Sequence, residues 1–209
     1  ARDRVGEKPL YFGWQKETFL FGSELKALRA HPNFLNDINR DSISLLLRHN
    51  CIPSPYSIYN EIYKLEPGKF ISLNRKDALT KKIPEQKVYW ELDGFLNKKT
   101  INSFTGSRSE AIDSLESLLT NSVKGQLQSD VPLGAFLSGG VDSSLVVAIA
   151  QKVSKTPIKT FTIGSDDKNY NEAHHAKRIS KFLGTNHTEL YLSPNEIIDV
   201  IPMLPNIYD

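Results

Sequence analysis

The feature that most constrains this chain is one short segment, residues 137–144, which reads Leu-Ser-Gly-Gly-Val-Asp-Ser-Ser. The apolar residues 135–137 predict a strand that leads into it, and the apolar run 145–153 predicts a helix that follows it. Paired glycines let the backbone turn sharply and bring its N–H groups close to an anion, and the N-terminus of the helix adds positive potential. We therefore predict a phosphate-binding loop at the carboxyl end of a strand, the edge at which open α/β sheets bind ligands.

Asp142 indicates that this anion binds together with a cation. A carboxylate in a phosphate loop repels a bare phosphate, whereas Mg²⁺ is held by carboxylate and phosphate oxygens together. Ser138, Ser143 and Ser144 supply hydroxyl groups beside it. The loop lacks the Gly-Lys-Ser/Thr ending of Walker loops, so it predicts another class of nucleotide site. A Ser/Gly-rich turn that binds nothing is the alternative interpretation.

The chain from residue 107 onward alternates helices and strands. Ser107 and Glu110 fit a capping box at the start of the first helix. Further strands are predicted at 158–163 and 187–192, with a helix at 173–183 between them. This order predicts an α/β domain built on a parallel sheet with helices on both faces.

The first ninety residues are predicted to be rich in β-structure. Two aromatic runs, 9–14 and 18–22, predict a hairpin, and Pro67-Gly68 predicts the turn of a second one. Asp41 is the predicted cap of a short helix, and residues 75–87 are predicted to form a solvated loop. Residues 97–107 are polar and short of apolar side chains. We therefore expect one domain over residues 1–95, a linker over 96–106 and a second domain over 107–209.

Composition excludes several classes of protein. The chain has 26 Lys and Arg against 24 Asp and Glu, and a net charge of +2 is not the footprint of a nucleic-acid-binding protein. No apolar run reaches the roughly 18–20 residues that span a membrane. Cys51 is the only cysteine, which excludes an internal disulfide and favours a reducing, cytoplasmic setting.

Several segments carry a family resemblance. Residues 129–144 resemble the synthetase domain of glutamine-dependent asparagine synthetases, whose loop is the SGGxDS motif of N-type ATP pyrophosphatases. Residues 2–12 and 21–28 resemble the RDxxGxKPLYY and FASEIKAL stretches of the glutaminase domain of the same enzymes. Four shorter segments also fit the family: Leu65–Gly68, Phe161–Gly164, Asn171–Ala173 and Leu183–Glu189. The resemblance implies an adenine nucleotide alpha hydrolase-like sheet, preceded by an incomplete β-rich part of an Ntn-type glutaminase domain.

The same resemblance implies a reaction and a set of site residues. ATP would adenylate the β-carboxylate of aspartate and release pyrophosphate, and ammonia from glutamine would then displace AMP to give asparagine. The implied catalytic residues are Asp142 and Ser143. Asp142 is also the implied metal ligand, for Mg-pyrophosphate. The implied nucleotide-binding residues are Phe136, Leu137, Ser138, Gly139, Gly140, Val141, Asp142, Ser143, Ser144 and Ile163. The implied cofactors are ATP and Mg²⁺. The implied partners are small-molecule substrates, with no nucleic acid or membrane and with homodimer formation left open.

Departures from the family pattern leave alternatives open. The N-terminal cysteine that attacks glutamine in this family is not among these residues, and Cys51 cannot replace it, so we expect the chain to be the middle of a larger enzyme. A related amidotransferase with another carboxylate acceptor, such as a sugar uronate in surface polysaccharide synthesis, fits the same loop. A tRNA-modifying or sulfur-transferring pyrophosphatase fits less well, because the charge is nearly balanced and there is one cysteine. An inactive nucleotide-binding fragment is the non-enzymatic alternative.

Overall fold

The computed structural model describes residues 1–96, 104–165 and 171–208. The chain divides into two compact units, one formed by residues 1–102 with 206–209 and the other by residues 103–205. Within the described residues, no helix combines the length and the apolar character needed to cross a membrane.

The first unit contains five short strands and four helices among the described residues. They are β1 (Tyr11–Gln15), β2 (Thr18–Gly22), α1 (Leu25–Arg29), α2 (Arg40–His49), β3 (Ile62–Lys64), β4 (Lys69–Phe70), α3 (Arg75–Thr80), β5 (Lys87–Val88) and α4 (Asp93–Leu96). The predicted first hairpin is confirmed, since β1 and β2 pair antiparallel with Gly13 opposite Leu20. The main core of the unit packs on this sheet and consists of Tyr11, Leu20, Leu25, Leu28, Phe34 and Ile62.

The prediction of a second hairpin around Pro67-Gly68 is wrong. Strand β3 pairs with β1, which gives a sheet of order β2-β1-β3, whereas β4 pairs with β5 in a separate two-stranded sheet. The turn is held by other partners: Gly68 N donates to Asp3 O, and Gly68 O accepts from the N–H groups of Tyr89 and Trp90. Pro67-Gly68 therefore directs the chain from one sheet into the next.

Two smaller predictions in this unit also need correction. The cap of α2 is Asn39 rather than Asp41, because the Asn39 side chain accepts from the N–H groups of Asp41 and Ser42. The segment 75–87 is not loop throughout, because α3 forms at its start. Asn74 and Asp77 make a reciprocal capping box there, which satisfies otherwise unpaired N–H groups.

The second unit contains three strands and the remaining helices. They are α5 (Arg108–Gln126), β6 (Gly134–Phe136), α6 (Val141–Val153), β7 (Lys159–Ser165), α7 (Ala173–Leu183), β8 (Asn186–Leu192), α8 (Pro194–Val200), a 3-10 helix (Ile201–Met203) and α9 (Leu204–Ile207), the last of which ends in the first unit. The capping box of Ser107 and Glu110 is confirmed at the start of α5. Of the predicted linker, residues 97–103 lie outside the described residues.

The three strands form a parallel sheet of order β6-β7-β8, which confirms the predicted α/β class. One face of this sheet carries Ala135 and Leu137, which pack against Val147 of α6 and Ala176 of α7. Helix α5 packs on α6.

The other face of the sheet is not covered by α6 or α7, so these two helices do not provide the predicted helices on both faces. Side chains on strands alternate between faces, and the apolar side chains of this second face remain exposed among the residues that the structure describes. Phe136 is 79% exposed, Ile163 57% and Leu190 57%. Helices α6 and α7 cover the same face because each is a crossover between neighbouring parallel strands that follow in one direction across the sheet. The spatial order β6-β7-β8 therefore places both crossover helices in one layer.

Candidate functional site

The predicted phosphate loop lies where β6 ends and α6 begins. Gly140 is the N-cap of α6, and no side chain caps the helix there. Helices α5 and α8 differ, because their serine caps, Ser107 and Ser193, each accept a hydrogen bond from a first-turn N–H. The first N–H groups of a helix have no intrahelical partner. The start of α6 therefore offers unpaired N–H donors and the positive end of a 13-residue helix to an external anion.

The serines of the loop hold its shape. Ser143 Oγ accepts from Ser138 N at 3.3 Å and lies 3.0 Å from Ser138 Oγ. Ser144 Oγ donates to Gly140 O at 2.6 Å. Ser143 thus joins the two ends of the loop, and its role in the structure is to position the backbone. Its hydroxyl can also turn toward a ligand, because a hydroxyl rotates to suit its partners.

Gly139 has a backbone conformation that side chains rarely adopt. Its φ is +85°, and an added Cβ would lie 2.8 Å from His175 Cβ and 3.0 Å from Ala176 N. Gly140 is different, since its φ is −72° and the nearest atom to an added Cβ is Ser138 Oγ at 3.5 Å. The first turn of α7 therefore packs directly against the loop at Gly139, and glycine is needed there on two separate grounds.

Helix α7, which supports the loop in this way, is tied to the sheet by an ion pair. Lys177 Nζ lies 2.9 Å from Glu189 Oε1 on β8, and the Tyr191 hydroxyl donates to Glu189 Oε2 at 2.9 Å. The hydrogen bonds from Lys177 and Tyr191 lower the pKa of Glu189. This pair fixes α7 against β8.

Leu137 contributes to the loop through its backbone groups rather than through its side chain. Its side chain is 1% exposed and packs on the helical face, away from the side chains of Phe136 and Ile163. Its N–H donates to Phe161 O at 2.9 Å, and its carbonyl accepts from the Thr162 hydroxyl. Leu137 therefore fixes the start of the loop to β7 on both of its backbone groups.

Phe136 and Ile163 meet on the exposed face of the sheet. Phe136 on β6 pairs in register with Phe161 on β7, and Ile163 lies two residues after Phe161 on β7. Side chains two residues apart on a strand point to the same face, so Phe136 and Ile163 share one face of the sheet. Both lie near the carboxyl ends of their strands, beside the loop. The arrangement provides an apolar surface next to an anion site, which suits a ligand with a flat apolar part and a charged part.

Val141 and Asp142 occupy the first turn of α6, and both are exposed. Asp142 is the acidic residue of that turn. Among the described residues, no group of three or more His, Cys, Asp or Glu side chains could hold a metal ion alone. One carboxylate fits Mg²⁺ in the common arrangement in which substrate phosphates and water complete the coordination. The residues present are therefore compatible with magnesium bound together with a nucleotide.

His187, which lies in a segment that fits the family, is remote from the loop. It is at the start of β8, and its Nδ1 lies 2.9 Å from Thr160 Oγ1, which is itself 2.9 Å from Thr185 Oγ1. These strand starts are at the opposite edge of the parallel sheet from the phosphate loop. His187 supports the packing of β7 and β8 rather than a ligand at the loop.

Comparisons with known proteins agree on one family. The model described as asparagine synthase matches residues 114–209, and the model described as glutamine amidotransferase domain matches residues 1–90. The chain belongs to the asparagine synthetase family. Relatives in this family include a Methanocaldococcus jannaschii protein provisionally named asparagine synthetase (glutamine-hydrolyzing) 2, which is 35% identical over all of this chain. Asparagine synthetase (glutamine-hydrolyzing) 1 of Bacillus subtilis is 28% identical over 98% of it.

The chain spans only part of these family members, 39% of the Methanocaldococcus protein and 30% of the Bacillus protein. Among solved structures, NMN synthetase from Francisella tularensis is 20% identical, with 48% of this chain and 41% of that chain covered. The TM-score is 0.35.

Two residues that hold the site have no signal in the loop motif itself. His175 reaches Gly139 from a helix more than thirty residues downstream, and nothing in the local sequence around it indicates that contact. Thr162 is different, because the alternation of threonines at 160 and 162 within an otherwise apolar strand could have indicated a polar role. Both residues act by placing the loop backbone.

Proposed function

We propose that the loop Ser138–Ser144 binds the pyrophosphate portion of ATP. The observation that carries this proposal is the start of α6, where no side chain caps the helix and an added Cβ at Gly140 would meet only Ser138 Oγ, at 3.5 Å, so the backbone there is open to an anion. Ser138, Ser143 and Ser144 belong to the same loop: Ser143 Oγ accepts from Ser138 N, and Ser144 Oγ donates to Gly140 O. Fixed donors of this kind stabilise the charge that develops on a departing pyrophosphate, because they need no reorganisation during the reaction.

The adenine ring is proposed to lie over Phe136 and Ile163. These side chains form an exposed apolar surface beside the loop. A purine that lies there would cover apolar area which is otherwise in water, and a ring stacked on Phe136 adds a contact worth about 0.5–1.5 kcal/mol. Leu137 contributes the backbone that joins the two parts of the site.

Asp142 is the proposed ligand of Mg²⁺. Val141 precedes it in the first turn of α6 and is proposed to help position it. When bound, the metal offsets phosphate charge in the nucleotide. Asp142 holds a single negative charge at the loop, and the helix start supplies the opposing potential. This arrangement favours a magnesium–nucleotide complex over a bare phosphate.

The whole protein is proposed to be a glutamine-hydrolysing asparagine synthetase of the cytoplasm. Residues 1–95 would belong to the glutaminase domain and residues 107–209 to the synthetase domain, joined by the linker 96–106. The synthetase part would adenylate the aspartate β-carboxylate, since a free carboxylate is a poor electrophile, and ammonia from glutamine would displace AMP. This proposal is supported by the names of the relatives and by the match of both halves of the chain to the two family models.

An acceptor comparison with the full-length protein tests this proposal. The protein is incubated with ATP, magnesium and ammonia and with either aspartate or a hexuronate, and AMP formation is followed in each case. We expect AMP formation to depend on aspartate. AMP formation with the hexuronate alone would favour the related amidotransferase, and nucleotide binding without turnover of either acceptor would favour the non-enzymatic alternative.

A further inference from the structure

The first unit contains a cavity with a volume of about 380 Å³. Tyr11, Leu25, Leu46, Ile52 and Ile58 supply most of its lining. Lys64 and Cys51 also line it, and Lys64 is the only cationic side chain among its described lining residues. The cavity thus combines apolar walls with one positive charge.

Lys64 is held in this cavity in a defined position. Its Nζ donates to Ile52 O at 3.0 Å and lies 5.3 Å from the centre of the Tyr11 ring. Strand β3, which carries Lys64, pairs with β1 so that Lys64 is opposite Tyr11. Because the stem lies along the sheet and one of its three N–H donors is used, the ammonium still has donors to offer a ligand.

The charge around Lys64 is unbalanced. Within the described residues, no carboxylate lies within ion-pairing distance of Lys64 or of Arg2, whose guanidinium donates instead to the backbone oxygens of Lys8, Leu65 and Gly6. Burial, together with the charge of Arg2, lowers the pKa of Lys64. A half-buried cation without an acidic partner is costly, and an anion beside it removes that cost.

We propose that this cavity binds a small monocarboxylate with an apolar tail, with the carboxylate on Lys64 Nζ and the tail between Leu25, Leu46 and Ile58. The apolar walls favour an organic acid over inorganic phosphate, which would have no use for them. The single ammonium matches one carboxylate, and a charge-assisted hydrogen bond between them is about twice as strong as a neutral one.

The probe is 3-phenylpropanoate, with its amide as a neutral partner of the same shape. Cys51 is the only cysteine and lines the cavity, so its alkylation by iodoacetamide reports occupancy. We expect 3-phenylpropanoate to slow alkylation saturably, with half-protection on the order of 1 mM. We expect the amide to need about tenfold more.

Variants at Lys64 provide the decisive comparison. Lys64→Met keeps the stem and removes the charge, so the acid should protect no better than the amide, whereas Lys64→Arg should restore the preference for the acid. Lys76→Met, on the exposed helix α3, is the matched control and should behave as the unaltered chain. Far-ultraviolet circular dichroism checks that each variant is folded. Equal protection by acid and amide in the unaltered chain, or an unchanged preference in folded Lys64→Met, would overturn the proposal.

Discussion

Gly139 packs directly against His175, such that a Cβ on Gly139 would lie 2.8 Å from the His175 Cβ. This contact joins the phosphate loop to the first turn of α7, and α7 is in turn joined to β8 by Lys177 and Glu189. The shape of the loop therefore depends on a helix that the loop motif does not contain.

The first prediction concerns the two glycines of the loop. Gly139→Ala should destabilise the chain by about 1–3 kcal/mol, because it combines a positive φ with a steric overlap. Gly140→Ala is the matched control and should cost much less, since its φ is −72° and an added Cβ has room. Urea unfolding of both variants measures this difference. Equal losses of unfolding free energy in the two variants would show that the contact with His175 is not the reason why glycine is required at position 139.

The second prediction concerns the exposed aromatic residue beside the loop. Phe136 is 79% exposed, so Phe136→Ala should leave the unfolding free energy nearly unchanged. It should weaken ATP binding about 2–10-fold, because the ring stacks on the adenine in the proposed site. Phe182→Ala on α7 is the control, since Phe182 is 88% exposed and is not part of the site. Isothermal titration with magnesium–ATP gives both affinities, and identical affinities would remove Phe136 from the site.

The third prediction concerns the pH dependence of stability. The pKa of Glu189 is lowered in the folded chain, chiefly by its hydrogen bond to Lys177. The contribution of this pair is therefore present above the unfolded-state pKa of a glutamate and is lost as the pH falls through the lower, folded pKa. Lys177→Met should be less stable than the unaltered chain at neutral pH, and the two should converge in acid. Lys181→Met, in the last turn of the same helix, should show no such convergence. A stability difference between Lys177→Met and the unaltered chain that stays constant with pH would contradict the role of the Lys177–Glu189 pair.

The fourth prediction concerns Asp142 in the full-length protein. Asp142→Asn should lower aspartate-dependent pyrophosphate release by about 10²–10³, which is typical of the loss of one preorganised electrostatic partner. Glutamine hydrolysis should persist, because the proposed glutaminase part is residues 1–95, and Asp142 is not among them. Asp113→Asn on the exposed face of α5 is the control and should change neither activity. Equal loss of both activities in Asp142→Asn would contradict the separation of the two sites.

Local sequence patterns predicted the second unit better than the first. The strands at 134–136, 159–165 and 186–192 follow from short apolar runs, and the capping box at Ser107 follows from residue types three positions apart. Such signals are contained in a few neighbouring residues, and the structure confirms them. The parallel α/β class follows from their order alone.

Predictions that depend on distant contacts were less accurate. The Pro67-Gly68 turn has the composition of a hairpin, but backbone bonds to Asp3, Tyr89 and Trp90 decide that it connects two sheets. The faces of the parallel sheet are a similar case, since strand order places α6 and α7 on one side. In the site, the loop residues were visible in the sequence, whereas the contacts of His175 and Thr162 that place them were not.

The most direct measurement is the identity of the products that the full-length protein forms from ATP. The protein is incubated with ATP, magnesium, ammonia and aspartate, and the phosphorus species are identified by ³¹P nuclear magnetic resonance. If the loop Ser138–Ser144 holds a departing pyrophosphate, the spectrum will show AMP and pyrophosphate in equal amounts, and only when aspartate is present. The appearance of ADP and inorganic phosphate as the first products would contradict the proposed pyrophosphate site.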